Sequence, residues 1–211
     1  ISVHPSGQFF YTINNLSNNV SAHALSTTGL VTAVTGSPFP LDLTANGPTA
    51  VAVSPNGLSL FVANRTSSNV SVFSINQTTG VLTEINGSPF ALAPATGPTA
   101  IAVHPSGNML FVTNNSNNPA NLGTLSVFII QSTGFLSEIG TSPFTLLLDP
   151  QALALNVTGT VVYAANKGSN SISAFSVNQT TGVLSAIASQ PFSTGPGTTP
   201  SSVAVGPGGR F

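Results

Sequence analysis

Apolar and polar residues alternate in short runs along the chain, and turn-forming residues separate the runs. Residues 49–98 show the pattern most clearly, with four runs rich in β-branched and aromatic residues: Thr49–Ser54, Leu58–Asn64, Asn69–Asn76 and Val81–Asn86. Alternation with a period of two is typical of β-strands with one buried face. Because hairpin-length turns join the four runs, we predict a four-stranded antiparallel meander.

The same arrangement recurs about every fifty residues. Each complete copy keeps four markers in order: a turn ending in Gly, an Asn, a Thr-Gly pair and a Pro-Phe pair. The turn glycines are Gly7, Gly57, Gly107, Gly159 and Gly209, preceded by Pro-x in all but the fourth copy. The repeats span residues 1–48, 49–98, 99–150 and 151–200, with a partial copy at 201–211. A meander with this period is typical of a propeller blade, so we predict an all-β β-propeller with four blades and the first strand of a fifth.

Side-chain size suggests where each strand lies within a blade. Ala50 and Ala52 share one face of the first strand, and small residues suit an innermost strand crowded around a channel. Recurrent phenylalanines predict packing between blades: Phe39, Phe73, Phe90, Phe128, Phe144, Phe175 and Phe192. A linear β-solenoid is the alternative, but its coils usually repeat at shorter periods. No segment has helical periodicity with capping residues, so we expect essentially no helix.

Composition excludes several classes of protein. Of the 211 residues, 41% are apolar and only 3% are charged, with a formal net charge of −1 and no cysteine. A chain with three basic residues has little attraction for nucleic acid. No apolar run approaches the roughly 18 residues of a membrane span. Without thiolates or clustered histidines, we expect no metal site and no cofactor.

Four segments carry a family resemblance: Tyr11–Asn14, Phe61–Asn64, Phe111–Asn114 and Tyr163–Asn166. With His-Pro-Ser-Gly before them and Asn-Gln-Thr-Thr-Gly-Val-Leu after them, they resemble the YVTN-type repeat of the lactonase-like (6-phosphogluconolactonase-like) propellers. The resemblance implies a seven-bladed ring, of which these repeats form part. Since the first residues already belong to a repeat, we expect this chain to be a piece of a longer protein.

Enzymes of that family carry a Gly-Pro-Arg-His element at the start of the first strand and an Asn-Glu pair after the second. The matching positions here include Thr49 and Thr99 in place of Arg, and Gln151 in the fourth repeat. The residues after the recurrent Asn are Asn15, Arg65, Asn115 and Lys167, so Glu is absent there. The resemblance therefore implies that these two catalytic elements of the family, where the protein has them, lie in other blades.

Charged residues near the predicted channel mouth are the candidate ligand contacts. Hydrolysis of a lactone requires a general base and groups that stabilise an oxyanion. The turns after the second and fourth strands place these residues at one end of the propeller: Asp42, Arg65, Asp149 and Lys167. His4 and His104 end first strands at the opposite end, where we interpret them as hydrogen-bonding turn residues.

Two further sets of residues have structural interpretations. We predict that one recurrent residue caps the turn after the second strand through side-chain to backbone hydrogen bonds: Asn14, Asn64, Asn114 and Asn166. Glu84 and Glu138 recur in the fourth strand, where we expect solvated charges that discourage pairing of sheet edges.

Asn-x-Ser/Thr sequons are dense and predict glycosylation sites on a secreted protein. They begin at Asn15, Asn19, Asn64, Asn69, Asn76, Asn86, Asn114, Asn156 and Asn178. Glycans would give a charge-poor surface the solubility that ions normally supply.

Three functional hypotheses remain open. The first is an extracellular or cell-surface, non-catalytic propeller that acts as a scaffold and binds a protein or carbohydrate. The second is part of a lactone hydrolase that acts on a sugar lactone. The third is a subunit that self-associates through unpaired blade edges into oligomers or filaments.

Overall fold

The computed structural model describes residues 1–92, 97–115 and 122–206, and its strands form four antiparallel sheets. Each sheet arises from one sequence repeat and is one propeller blade. The predicted all-β propeller architecture and the four blades are therefore confirmed. The described residues contain one short 3₁₀ helix, Lys167–Ser169. Within that part of the chain, no helix has the length and apolar character needed to cross a bilayer.

The twenty strands are numbered in chain order, five to a blade. Blade 1 comprises β1 Ser2–Val3, β2 Phe9–Asn14, β3 Asn19–Leu25, β4 Val31–Ala33 and β5 Phe39–Pro40. Blade 2 comprises β6 Pro48–Val53, β7 Ser59–Asn64, β8 Asn69–Ile75, β9 Leu82–Glu84 and β10 Phe90–Ala91. Blade 3 comprises β11 Gly97–Val103, β12 Met109–Asn115, β13 Thr124–Ile130, β14 Leu136–Glu138 and β15 Phe144–Thr145. Blade 4 comprises β16 Pro150–Leu155, β17 Val161–Asn166, β18 Ser171–Val177, β19 Leu184–Ala186 and β20 Phe192–Ser193.

The outer strand of each blade is split into two short strands, which the sequence pattern did not predict. In blade 2, both β9 and β10 pair with β8. The turn around Gly87 and Ser88 interrupts the strand, and Ser88 Oγ accepts the Val72 N–H at 3.0 Å. A serine hydroxyl thus replaces one missing hydrogen bond of the ladder. The corresponding acceptors in the other blades are Ser37, Ser142 and Gln190.

The first long strand of each repeat is innermost, as predicted. Strands β6, β11 and β16 each form one edge of their sheet, and β11 packs against both β6 and β16. Their pairing with the second strand is interrupted by a bulge between Pro48 and Ala50, and the same irregularity recurs in blades 3 and 4. The bulged residues are Thr49, Thr99 and Gln151, so their side chains leave the regular alternation of the strand.

The hydrophobic core consists of three clusters, one between each pair of neighbouring blades. The prediction that phenylalanines pack between blades is confirmed for six residues: Phe39, Phe73, Phe90, Phe128, Phe144 and Phe175. The seventh, Phe192, is 43% exposed because it lies on the face of blade 4 that no other blade of this chain covers.

The predicted fifth blade is only partly described. Residues 201–206 adopt no strand, and 207–211, which include Gly209 and its turn, lie outside the described residues. In the other blades the first strand pairs with the second strand, as Val3 pairs with Phe10. Residues 201–206 pair with no strand among the described residues.

Candidate functional site

The turn that follows the second strand of a blade is hydrogen-bonded to the start of the inner strand of the same blade. The Arg65 N–H donates to the Gly47 carbonyl at 2.8 Å, and the Lys167 N–H donates to the Asp149 carbonyl at 2.9 Å. These backbone bonds bring the turns and strand starts together at one end of the propeller. We refer to this end, around the inner strands, as the channel mouth.

Asp149 is the centre of a polar cluster at the channel mouth. Its Oδ1 accepts hydrogen bonds from Asn115 Nδ2 and Gln151 Nε2, each at 2.5 Å. Its backbone has a φ of 54°, a left-handed conformation that non-glycine residues rarely adopt. The two amides, one from blade 3 and one from blade 4, fix the half-buried carboxylate across the blade junction.

Arg65 lies beside this cluster on the neighbouring blade. Its side chain packs over Gly97, where an added Cβ would be 2.9 Å from Arg65 Cγ. Gly97 pairs with Asn115, whose amide contacts Asp149. Arg65, Asn115 and Asp149 therefore follow one another around the mouth, and the exposed Lys167 adjoins Asp149 through its backbone.

Asp42 is not part of this cluster, although the sequence places it in an equivalent turn. Its Oδ1 accepts hydrogen bonds from the Thr44 hydroxyl at 2.6 Å and the Thr44 N–H at 2.8 Å. These two bonds lower the pKa of the Asp42 carboxyl. Asp42 therefore stabilises its own exposed turn and has no contact with Asp149.

The expectation that Glu84 and Glu138 are solvated edge charges is wrong. Both side chains are half-buried. Glu84 Oε1 accepts the Ser88 hydroxyl at 2.6 Å, and Glu138 Oε1 accepts the Ser142 hydroxyl at 2.7 Å. Burial raises the pKa of Glu84, and the negative charge of Asp42 adds to this increase. The split of the outer strand brings each serine close to its glutamate.

The histidines lie at the opposite end of the blades, as the sequence predicts. The six or seven residues of a middle strand correspond to roughly 20 Å between the two ends. His4 Nδ1 accepts the Ser6 N–H at 3.2 Å, so Nε2 carries the proton and donates to the Gly57 carbonyl at 3.1 Å. His104 forms the same bonds with the Ser106 N–H and the Gly159 carbonyl. Their interpretation as turn hydrogen-bonders is confirmed, but each also links two blades.

The recurrent asparagines bond mainly to side chains, which corrects the prediction of side-chain to backbone caps. Asn64 Nδ2 donates to Asn69 Oδ1 at 2.9 Å and to Ser71 Oγ at 3.0 Å. The equivalent residues do the same: Asn14 with Ser21, Asn114 with Ser126, and Asn166 with Ser173. Each asparagine ties the end of its second strand to the start of the third.

Comparison with known proteins agrees with this architecture. The family model "Lactonase, 7-bladed beta-propeller" matches residues 1–121 and residues 88–199. The chain belongs to this family. No curated protein matches it significantly.

Solved structures share the fold of this lactonase-family chain. A candidate 6-phosphogluconolactonase from Bacteroides uniformis aligns with a TM-score of 0.79 and 19% identity, over 90% of this chain and 53% of that one. The periplasmic gluconolactonase of Pseudomonas aeruginosa aligns with a TM-score of 0.76 and 20% identity, over 91% and 53%. Hydrazine synthase of Kuenenia stuttgartiensis aligns with a TM-score of 0.57 and 19% identity, over 100% and 78%. The chain spans about half the length of the two lactonase-like structures.

Two threonines occupy positions where the lactonase family resemblance implies Arg. Thr49 Oγ1 donates to the Pro98 carbonyl at 2.9 Å, and Thr99 Oγ1 donates to the Pro150 carbonyl at 2.7 Å. Each hydroxyl therefore joins the inner strands of adjacent blades. Sequence reasoning missed this role, although the repeated Gly-Pro-Thr was a visible signal.

The predicted glycosylation sites of this lactonase-family chain differ in how accessible their asparagine side chains are to solvent. Asn64, Asn69 and Asn114 are buried, so the fold leaves no room for a glycan on them. Asn15 and Asn156 engage Nδ2 in hydrogen bonds to Pro48 and Thr160, and Asn19 is half-buried. Asn76, Asn86 and Asn178 are exposed turn residues, as is Asn15, but unlike Asn15 they donate no hydrogen bond from Nδ2 within the described residues.

Proposed function

We propose that this chain supplies part of the substrate site of a lactone hydrolase, with Asp149 as the functional carboxylate. The observation that supports the proposal is the polar cluster at the channel mouth, where Asn115 and Gln151 both donate to Asp149 Oδ1. Family membership and the lactonase-like structures that share the fold favour the same chemistry. In this proposal, the remaining blades of the ring complete the site.

The arrangement suits proton abstraction from water. With Oδ1 held by two amides, the second carboxylate oxygen is available to accept a proton from a water molecule that attacks the lactone carbonyl. The ester C–O bond of the ring then breaks, and the ring oxygen takes up a proton to give the hydroxy acid. Arg65 and Lys167 provide positive charge beside the cluster for an oxyanion or an anionic substituent of the sugar.

One observation favours a second candidate, an extracellular non-catalytic scaffold that binds a protein or carbohydrate. Thr49 and Thr99 replace the family's arginines and use their hydroxyls to join blades. In these positions the chain retains a structural link where the enzymes have a cation. A fold shared with hydrazine synthase also illustrates that propellers carry unrelated functions.

Two matched variants of the full-length gene product test the proposal. Asp149→Asn removes the general base and should lower kcat/KM for a sugar lactone by at least about 100-fold. Asp42→Asn changes an exposed carboxylate of the same blade end that lies outside the cluster, and it should leave kcat/KM unchanged. Equal activity of Asp149→Asn and the parent would refute the role of Asp149.

A further inference from the structure

Blades 2 and 3 each hold a glutamate at the same place in the outer strand. Glu84 lies opposite Phe73 in the β8–β9 pairing, and Glu138 lies opposite Phe128 in the β13–β14 pairing. Phe73 and Phe128 face the preceding blade, and the two glutamates share their side of the sheet. Each carboxylate therefore lies at a blade junction.

The blade supplies hydrogen-bond donors to that carboxylate. Glu84 Oε1 accepts the Ser88 hydroxyl at 2.6 Å, and the Ser71 hydroxyl lies near enough to Glu84 to lower the pKa of its carboxyl, against the larger effect of burial. Ser71 is fully buried, and its Oγ accepts Asn64 Nδ2 at 3.0 Å. Because Ser71 Oγ accepts this bond, the serine proton points away from Asn64 and can be donated to a neighbouring acceptor.

Blade 4 keeps this donor set but lacks the carboxylate. Ala186 lies opposite Phe175, where blades 2 and 3 have glutamate. Ser173 corresponds to Ser71: it is 4% exposed, and its Oγ accepts Asn166 Nδ2 at 2.9 Å. Gln190 corresponds to Ser88 and accepts the Ala174 N–H through Oε1 at 2.8 Å, which leaves its amide hydrogens to donate.

Blade 4 has a cavity of about 300 Å³ where blades 2 and 3 have the glutamate side chain, and this cavity lies at the junction of blades 3 and 4. Ser173, Ala186 and Gln190 all line it. The rest of its wall is mostly apolar, with Leu146 and Phe175 among the lining residues. A mostly apolar pocket of this size with two placed donors is typical of a small-molecule site.

We propose that this cavity binds a small aliphatic carboxylic acid, whose carboxyl group replaces the missing glutamate side chain. The carboxyl oxygens accept hydrogen bonds from Ser173 Oγ and Gln190 Nε2, and the alkyl chain packs against Leu146 and Phe175. An alcohol of the same length lacks the second acceptor oxygen and binds more weakly. Asp149, Asn115 and Gln151 are not among the residues that line this cavity, and the inference is independent of the proposed hydrolase activity.

An isothermal calorimetric titration of the full chain with butyrate tests this inference. We expect saturable binding of butyrate and weaker binding of 1-butanol. Ala186→Glu fills the cavity with the chain's own carboxylate and should weaken butyrate binding by at least about tenfold. Ala33→Glu is the matched control, because Ala33 has the equivalent place in blade 1, is exposed and faces no other blade of this chain. It should bind butyrate as the parent does.

A second measurement uses the unaltered protein and does not depend on how a variant folds. The side-chain amide resonances of Gln190 should shift on addition of butyrate, with the same midpoint as the calorimetric titration. Absence of saturable binding, unchanged Gln190 resonances at saturation, or equal binding by Ala186→Glu and the parent would each overturn the inference. A loss of lactone hydrolysis in Asp149→Asn would leave it unaffected.

Discussion

The imidazole of His104 reaches from blade 3 into blade 4 and donates its Nε2 proton to the Gly159 carbonyl at 3.2 Å. His4 makes the same contact with Gly57 between blades 1 and 2. Blade 2 has Ser54 in the place of the histidine, so the junction of blades 2 and 3 lacks this link. The four blades therefore form two histidine-linked pairs.

Gly159→Ala tests the close approach of these two residues. A Cβ at this position would overlap His104 Nε2, and the φ of +71° already disfavours a side chain. We expect the substitution to lower the free energy of unfolding by more than about 2 kcal/mol, which a denaturant titration would measure.

Gly107→Ala is the matched control for that experiment. It has a similar φ of +79°, but the nearest atom to its Cβ would be Pro55 Cδ at 3.9 Å. It should therefore show only the backbone cost of about 1–2 kcal/mol. Combining Gly159→Ala with His104→Ala should recover part of the loss, because the overlap is removed. Equal losses for the two glycine variants would contradict the proposed contact.

Asn64→Ala should lower the free energy of unfolding by about 1 kcal/mol, because Asn69 and Ser71 lose a buried hydrogen-bond donor. Asn86→Ala changes an exposed turn residue and should stay within about 0.5 kcal/mol of the parent. Urea unfolding of the two variants measures both values. Unchanged stability of Asn64→Ala would exclude a role in fixing the second strand to the third.

The folded state holds the Glu84 proton more tightly than the unfolded chain, because burial raises the pKa from its ordinary value of 4.5. Its contribution to stability is therefore complete below that value and is lost as the pH rises through the raised pKa. The variant Glu84→Gln cannot ionise at this position and does not lose this stability. The melting temperature of the variant minus that of the parent should therefore be larger at about pH 7 than at about pH 4. A difference that is constant with pH would contradict this assignment.

Asp42 should show the opposite dependence, since hydrogen bonds from Thr44 lower its pKa from 3.8. The stability that it contributes is present above that value and is lost as the pH falls through the lowered pKa. The test compares Glu84→Gln with the double variant Glu84→Gln/Asp42→Asn, because Glu84→Gln removes the repulsion between the two carboxylates. The double variant should be the less stable of the two near neutral pH. The difference in melting temperature should disappear in acid.

Access limits glycosylation to exposed turn residues. In protein secreted from a eukaryotic host, we expect glycans on Asn76, Asn86 or Asn178 and none on Asn64 or Asn114. Glycopeptide mass spectrometry gives the occupancy of each site. Substantial occupancy of Asn64 would show that the second strand of blade 2 is accessible and would contradict its burial.

The strands and the number of blades could be predicted because their signals are local. Alternation in Leu58–Asn64 and the turn at Gly57 both lie within one hairpin. The links between blades could not be predicted, because His104 and Gly159 meet only after two complete blades have folded and packed. The burial of Glu84 was missed for a similar reason: the sequence does not show that Ser88 splits the outer strand and turns toward it.

The candidate site was predicted in part. Asp149, Arg65 and Lys167 do lie at one end, as strand order required, whereas Asp42 lies outside their cluster. Asn115 and Gln151 were noted only as departures from a motif. Their contact with Asp149 depends on a left-handed backbone at Asp149 and a bulge at Gln151. The identities of these residues alone do not specify either feature.

The most direct test of the lactone hydrolase proposal is the rate at which the full-length protein opens a sugar lactone, measured by proton release at constant pH. The proposal predicts saturable turnover of δ-gluconolactone or its 6-phosphate, well above the spontaneous rate. A rate equal to spontaneous hydrolysis for both lactones would contradict it and favour the non-catalytic scaffold.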